Sequence, residues 1–354
     1  MLGQNVLVLG SGISGHAMAR WCHHEGAKVT VVDSRENPPN KEALAQLEPA
    51  IEIISKAFHP ELLLLADFQY LLISPGLSPE QIGELKKAAQ DKGITVWGEL
   101  NLFQHALLQL QQEQSYFPKV LAITGTNGKT TVTSLTGLLV ARAGQTVCVA
   151  GNIGPSMLDC LLGHIVANTL PQVWVLELSS FQLETAPEFS PTCATVLNIS
   201  QDHLNWHGSM QAYQDAKGHI FGTHTTKILN RDDPLVMAYL QSSFALSGNK
   251  KNQSKEASPP NYISFGSDSP TRIGDFGIET VNGMSWLVQA QTTELAPQYK
   301  RGKEVVETEF VLQKLMPTEA LRIRGRHNVL NALAALCLMQ SVTSSMAPIL
   351  YGLR

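Results

Sequence analysis

The sequence predicts an α/β protein of two domains, each built on a largely parallel sheet, and three observations carry that prediction. Short β-branched apolar runs alternate with stretches of helical spacing along much of the chain. Two of the strand-to-helix joins are rich in glycine, at 10–15 and at 125–128. The length, 354 residues, exceeds what one ordinary core accommodates.

The first element is Asn5 to Leu9, NVLVL, a strand. Gly10-Ser-Gly12-Ile-Ser-Gly15 follows, then a helix through about Glu25, then a second strand, Lys28 to Val32, with Asp33 at its carboxyl end. Glycines in the turn and an acidic residue about 20 positions on form the dinucleotide fingerprint of a Rossmann-like domain. The same geometry binds any diphosphate whose ribose or base reaches Asp33, so a nicotinamide cofactor does not follow from it. Asp33 and Ser34 could instead merely cap the following turn. Tyr70 to Ser74 is a strand broken off by Ser74-Pro75-Gly76, at the side of an open sheet where ligands bind. A helix over 79–92 and a short strand over 95–97 complete the domain, and the polar run Gln109 to Ser115 marks its end at about residue 115.

The second domain, 116–345, opens on VLAITGTNGKTT at 120–131. An apolar strand runs into Gly125-Thr126-Asn127-Gly128-Lys129-Thr130, and TSLTGLLVARA at 133–143 has helical spacing. Backbone N–H groups at such a loop face one anion, Lys129 adds a charge, and Thr130 adds a hydroxyl for magnesium. The longer phosphate-loop pattern would need glycine where Ile123 stands, so the match is to the shorter G-x-x-G-K-T, a P-loop ATPase-type cradle.

Thr146 to Ala150 is the next strand, and Asn152 lies in the glycine-flanked turn after it, either as a left-handed turn residue or as a ligand amide. Val173 to Leu178 is a buried strand carrying Glu177, a carboxylate that needs a metal or a basic partner. Ala194 to Ile199 ends before Asp202-His203, and a helix over 210–221 carries Lys217. Composition places a lysine on such a helix in solvent. The polar stretch 247–261 is expected to be a mobile surface loop. Strands over 262–265, 276–281 and 285–288, a β tract at 304–315, and a helix from about Gly325 to Met339 close the sequence reading.

Hydrophobic residues at 44% and charged residues at 16% describe a globular chain. The net charge of −4 gives no electrostatic support to nucleic-acid binding. The five cysteines form no C-x-x-C pair, which fits a reducing, cytoplasmic setting. The run Leu62 to Ile73 is interrupted by Asp67 and Gln69 and is too short to span a bilayer.

Taken together, GSGISG, VVDSR, SPG, ITGTNGKTT, AGNIG at 150–154, VLELSSFQLE at 175–184, LNISQDHL at 197–204, YQDAK at 213–217 and GRHNVLNALAA at 325–335 resemble the Mur ligases of peptidoglycan synthesis, above all the branch that adds D-glutamate. The resemblance implies a cytoplasmic, monomeric, ADP-forming ligase that joins D-glutamate to UDP-N-acetylmuramoyl-L-alanine through an acyl phosphate. It implies that Ser14, Asp33, Ser34 and Gly76 hold the UDP moiety, that Asn152 touches the muramoyl part, and that Gly125, Thr126, Asn127, Gly128, Lys129, Thr130 and Thr131 hold ATP, with Asn328 and Asn331 near adenine. Lys129, Glu177, His203 and Lys217 carry the catalysis on this reading. Two magnesium ions are implied, held by Thr130, Glu177, His203 and Lys217, the last as a carbamate. Members of the family continue into a third domain that supplies the amino-acid site. Here LYGLR at 350–354 matches only its start, so residues 346–354 are expected to be a stub of it. The alternative reading is a fragment that binds UDP-sugar and ATP without turnover.

Overall fold

A computed structural model describes residues 1–240, 262–292, 298–300, 303–305 and 310–354. The 247–261 insertion therefore lies outside the described residues, as does part of the 304–315 tract.

The first domain comprises β1 (Asn5–Leu9), α1 (Ile13–His24), β2 (Lys28–Asp33), α2 (Lys41–Ala45), β3 (Ile53–Ser55), β4 (Tyr70–Ile73), α3 (Pro79–Asp91), β5 (Thr95–Trp97) and α4 (Glu99–Gln114). Its sheet has the order β3-β2-β1-β4-β5, and every pairing is parallel. Val6, Leu7, Val8 and Leu9 are all fully buried, because helices cover both faces of the central strand. The order reverses between β1 and β4, so the loops after them, at Gly10 and Ser74, open a crevice together. α3 starts where it does because Ser78 and Gln81 form a capping box and Pro79 occupies the first turn.

The second domain comprises β6 (Lys119–Thr124), α5 (Lys129–Arg142), β7 (Val147–Gly151), α6 (Met157–Ala167), β8 (Val173–Glu177), α7 (Ser180–Glu184), β9 (Cys193–Val196), α8 (Leu204–His207), α9 (Met210–Gly218), β10 (Thr226–Asn230), α10 (Pro234–Met237), β11 (Tyr262–Phe265), β12 (Phe276–Val281), β13 (Met284–Thr292), β14 (Gln298–Lys300), β15 (Lys303–Val305), β16 (Phe310–Pro317), α11 (Arg326–Met339) and α12 (Ala347–Gly352). Its main sheet runs β16-β13-β12-β11-β10-β9-β6-β8-β7, while β14 and β15 pair with each other. Pairing is parallel from β7 to β12, and β13 and β16 add an antiparallel edge. The strand that feeds the phosphate loop, β6, thus lies between β8, which brings Glu177, and β9.

Two expectations about elements need correction, and one polar run gains a structural reason. The polar run 109–115 is the exposed end of α4, which continues through Gln114, anchored by buried Leu110, before the short connection 115–118 to β6. Glutamine and glutamate are good helix formers, and a polar run is also what an exposed helix end looks like. The phosphate-loop helix begins at Lys129 rather than Thr133, because the glycine loop feeds it directly. Asn152 is not in a left-handed conformation; Gly151 and Gly154 take the positive φ values instead, 123° and 70°.

The domains share one apolar cluster. Ala17, Met18 and Trp21 of α1 and Leu102 and Phe103 of α4 pack with Leu158 and Leu161 of α6 and with Trp174 of β8. Phe103 meets Trp174 edge-on at 5.0 Å between ring centroids. An ion pair, Arg20 to Asp159 at 2.6 Å, adds a polar tie between α1 and α6. Elsewhere, α11 is buried from Ala332 to Met339 against α5 and the sheet, as a helix apolar on every side must be. Residues 347–353 pack on α5, with Ile349 and Leu353 buried. No helix among the described residues is long and apolar enough to cross a membrane.

Candidate functional site

The crevice at the end of β1 and β4 is a cleft of about 450 Å³ lined by Gly10, Gly12, Ile13, Ser14, Asp33, Ser34, Arg35, Phe58, Ser74, Pro75, Gly76, Leu77 and Gln81. All four residues expected to hold the nucleotide-sugar, Ser14, Asp33, Ser34 and Gly76, therefore meet there. Gly15 makes the close approach of helix to loop possible, since a Cβ on it would lie 1.8 Å from the Gly10 carbonyl oxygen. Asp33 is 2% exposed and well supplied with donors. Ser11 gives it N–H and Oγ hydrogen bonds at 2.8 and 2.9 Å, and Arg35 gives Nε and Nη2 bonds at 2.8 and 2.6 Å and an N–H bond at 3.0 Å. The Arg35 guanidinium, above all, holds the Asp33 carboxyl well below the usual carboxylate range. Asp33 therefore caps its own turn through the Arg35 N–H, and the same carboxylate fixes the Arg35 guanidinium at the cleft wall.

The second centre is the loop after β6. Gly128 has φ 86°, and a Cβ there would lie 2.8 Å from Asn331 Oδ1, so the second turn of α11 sits against the loop. Asn331 Nδ2 donates to Asn328 Oδ1 at 3.0 Å, and Asn328 Nδ2 donates to the Arg324 carbonyl at 2.7 Å. Both asparagines expected near adenine therefore stand beside the cradle. Thr130 and Thr131 open the first turn of α5. Lys129 Nζ donates to the carbonyls of Gly125 and Thr126, each at 3.0 Å.

Lys217 reaches the same carbonyl. Its Nζ donates to Gly125 O at 2.9 Å and lies 4.6 Å from the centre of the Tyr213 ring. The side chain is 2% exposed, against the solvent position that composition predicted. α9 turns this face toward the loop, and the Tyr213 ring covers it. Burial, reinforced by the nearby Lys129 charge, lowers its pKa to about 7. Two lysines thus converge on one carbonyl oxygen, and neither has a salt-bridge partner among the described residues.

Glu177, 3% exposed, ends β8 opposite Ile123 of β6. Asn152 binds it twice, donating its N–H to the Glu177 carbonyl at 2.8 Å and its side-chain amide to Oε1 at 3.2 Å. That closeness is why residue 151 is glycine: a Cβ there would lie 2.1 Å from the Glu177 carbonyl oxygen. The salt-bridge alternative for Glu177 finds no basic partner among the described residues. His203 has φ 51° and is half exposed, with Nε2 3.4 Å from Asp202 Oδ2. Its ring lies 4.8 Å from that of Phe181 and 6.3 Å from that of Tyr213, which also touches Lys217.

Sequence reasoning missed the residues that shape the loop. Asn198, just past β9, takes the Asn127 N–H on Oδ1 at 2.9 Å and returns its Nδ2 to the Asn127 carbonyl at 3.0 Å. Thr126 Oγ1 meets Tyr213 Oη at 3.1 Å and accepts the Ser200 N–H at 3.0 Å. Position at a strand's carboxyl end beside the cradle was the only available signal for Asn198. The donor set suits magnesium: a buried carboxylate with only an amide partner and the hydroxyl of Thr130 are hard oxygen ligands. Among the described residues, no group of three or more His, Cys, Asp or Glu is placed to hold a metal ion.

Fold and site together define a two-domain α/β protein with a cleft at the carboxyl ends of β1 and β4 in one half and a glycine-rich loop feeding α5 in the other. The Mur ligase middle domain family matches residues 123–339, and the N-terminal domain family of MurD-like Mur ligases matches residues 4–98. UDP-N-acetylmuramoylalanine--D-glutamate ligases from Albidiferax ferrireducens and Burkholderia multivorans are 53% and 50% identical over 351 and 356 residues, covering 99% of this chain and 68% of theirs. A Neisseria meningitides ligase acting on UDP-N-acetylmuramate and L-alanyl-gamma-D-glutamyl-meso-diaminopimelate shares the fold, with a TM-score of 0.55 at 15% identity over 99% of this chain and 97% of that one. The chain belongs to the Mur ligase family.

Proposed function

We propose that this chain acts as an ATP-dependent, ADP-forming ligase of peptidoglycan precursor synthesis, joining D-glutamate to UDP-N-acetylmuramoyl-L-alanine. The observation that carries the reading is the convergence of Lys129 and Lys217 on the Gly125 carbonyl, beside the buried carboxylate Glu177. A carboxylate is a poor electrophile, so the alanyl carboxylate must first attack the γ-phosphate of ATP, forming an acyl phosphate and releasing ADP. The amine of D-glutamate then attacks the acyl carbon, loses a proton and expels phosphate. Both steps bring anions together, and the chain's contribution is to place cations and N–H donors where that charge gathers.

We assign the roles on this reading. Gly125, Thr126, Asn127, Gly128, Thr130 and Thr131 surround the phosphates, and Lys129 moves its ammonium from the loop carbonyls to the β- and γ-phosphates. Asn328 and Asn331 border the base. Ser14, Asp33 with Arg35, Ser34 and Gly76 hold the UDP moiety, and Asn152 faces the muramoyl end. Thr130, Glu177, His203 and Lys217 would hold two magnesium ions, which when bound offset the repulsion between carboxylate and phosphate.

The lowered pKa of Lys217 supports its carbamylation. The lowered pKa makes the free amine accessible near neutral pH, and its lone pair can bond to the carbon of CO2 as its N–H proton leaves to water. An anionic oxygen donor then replaces a cation. ¹³C-bicarbonate should give a carbamate resonance that is absent from Lys217→Ala; an identical spectrum for the variant overturns this role.

The test of the whole reading is ADP and phosphate release with UDP-N-acetylmuramoyl-L-alanine, ATP and D-glutamate. Release that needs all three substrates and is lost in Lys129→Ala supports it. Binding of UDP and ATP without turnover leaves only the silent-binder alternative.

A further inference from the structure

Glu99 is a buried carboxylate that the proposed chemistry leaves unused. It opens α4, in the first domain, and is 2% exposed. Its Oε1 accepts from Ser156 Oγ at 2.7 Å and from the Leu158 N–H at 3.4 Å, both at the start of α6 in the second domain. The Ser14 hydroxyl and the Met157 N–H also favour its charge, while burial opposes it and pushes its pKa up. Cys160 of α6 feels the Glu99 charge, while Arg20 of α1 and Asp159 of α6 are paired to each other.

Adhesion between the domains does not require this carboxylate. The apolar cluster already joins α1, α4 and α6, and burying a charge is costly even when donors surround it. Nor does α6 need it as a cap, because Ser156 Oγ accepts the Asp159 N–H at 3.2 Å in the usual way. What sets Glu99 apart is which groups it joins. Ser14 lines the nucleotide cleft. Ser156 comes one residue, Pro155, after the 151–154 turn, where Asn152 grips Glu177 beside the phosphate cradle.

We propose that Glu99 is a positioning residue that holds the Ser14 edge of the cleft and the 151–154 turn in one register, so that the two ends of a bound nucleotide-sugar face fixed partners. This rests on the reading of the first cleft as the UDP site. Ligand bound at Ser14 should therefore steady amides in the other domain. The test is hydrogen exchange of the full chain with and without saturating UDP, alongside UDP titration by calorimetry. In the native chain UDP should slow exchange of the 151–158 amides about threefold or more. In Glu99→Ala that protection should disappear while UDP still binds, about two- to tenfold more weakly, and Glu99→Gln, which keeps an acceptor oxygen, should restore part of it. Ser14→Ala, with Glu99 intact, should lose the protection as well, and it reads the link if Glu99→Ala fails to fold. Protection that persists in Glu99→Ala or in Ser14→Ala overturns the proposal alone; absence of UDP binding to the native chain overturns the cleft reading and this proposal with it.

Discussion

At the scale of single residues, the phosphate centre is governed by where positive charge is placed and how far it is desolvated. Lys129 is tethered to two loop carbonyls in a half-buried position, and the proposed function has it exchange them for phosphate oxygens. Removing such a charge-assisted contact costs about 1.5–3 kcal/mol, so Lys129→Ala should weaken ADP binding roughly 10- to 150-fold by calorimetry. Lys217 behaves differently because its folded pKa, about 7, lies below the ordinary 10.5. The folded chain then holds fewer protons than the unfolded chain between those values. Stability linked to this group rises as pH increases from about 7 toward 10.5, and its full cost is present below 7. Lys217→Met should accordingly raise the denaturant midpoint more at pH 6 than at pH 10.

His207 shows the acid-side counterpart. Its Nε2 is 2.9 Å from Ser180 Oγ, its ring stacks on Phe181 at 5.6 Å, and burial, with Lys217 and His203 nearby, lowers its pKa to about 4. A histidine depressed from 6.5 costs stability as pH falls from about 6.5 through 4. In His207→Phe, the fall in unfolding midpoint between pH 6.5 and pH 4.5 should be smaller than in the native chain.

At the scale of elements, two glycines show how strand ends and helix starts are brought into contact. Gly15 lets α1 press on the loop after β1, and Gly151 lets the turn after β7 lie against Glu177. Gly151 also has φ 123°, which side chains rarely tolerate. Gly151→Ala should destabilise the chain by about 1–3 kcal/mol in a denaturant titration. It should also weaken magnesium-dependent nucleotide binding, because the Asn152–Glu177 pair would have to shift. The parallel order of both sheets brings these turns to the carboxyl ends of the strands, which is why the crevice and the cradle are where they are.

At the scale of the molecule, the two domains are joined by a continuous core rather than by a tether. Trp174, a strand residue of the second domain, is fully buried against Phe103 of the first and donates Nε1–H to Tyr116 Oη at 2.9 Å. Phe103→Ala should cost about 3–5 kcal/mol. Because the cavity lies in the shared core, it should lower the melting of both halves together; two separated calorimetric transitions in the native chain would show that the domains melt independently. The ion pair Arg20–Asp159 is partly exposed, so removing it should matter by about 1 kcal/mol or less.

What the sequence by itself determined was everything that depends on neighbours along the chain. The strands at 5–9, 70–73, 262–265 and 276–281, the glycine loops, and the strand-to-helix join at 125–130 were legible because residues a few positions apart specify them. The tertiary structure alone decided the burial of Lys217, which binds a carbonyl 92 positions away, and the grip of Asn198 on a loop 71 positions away. It also decided the pairing of Asn152 with Glu177 and the burial of Glu99 between domains. The physical reason is that local pattern reports which backbone shapes are cheap, whereas a polar side chain's charge and partners depend on which distant elements exclude water from it.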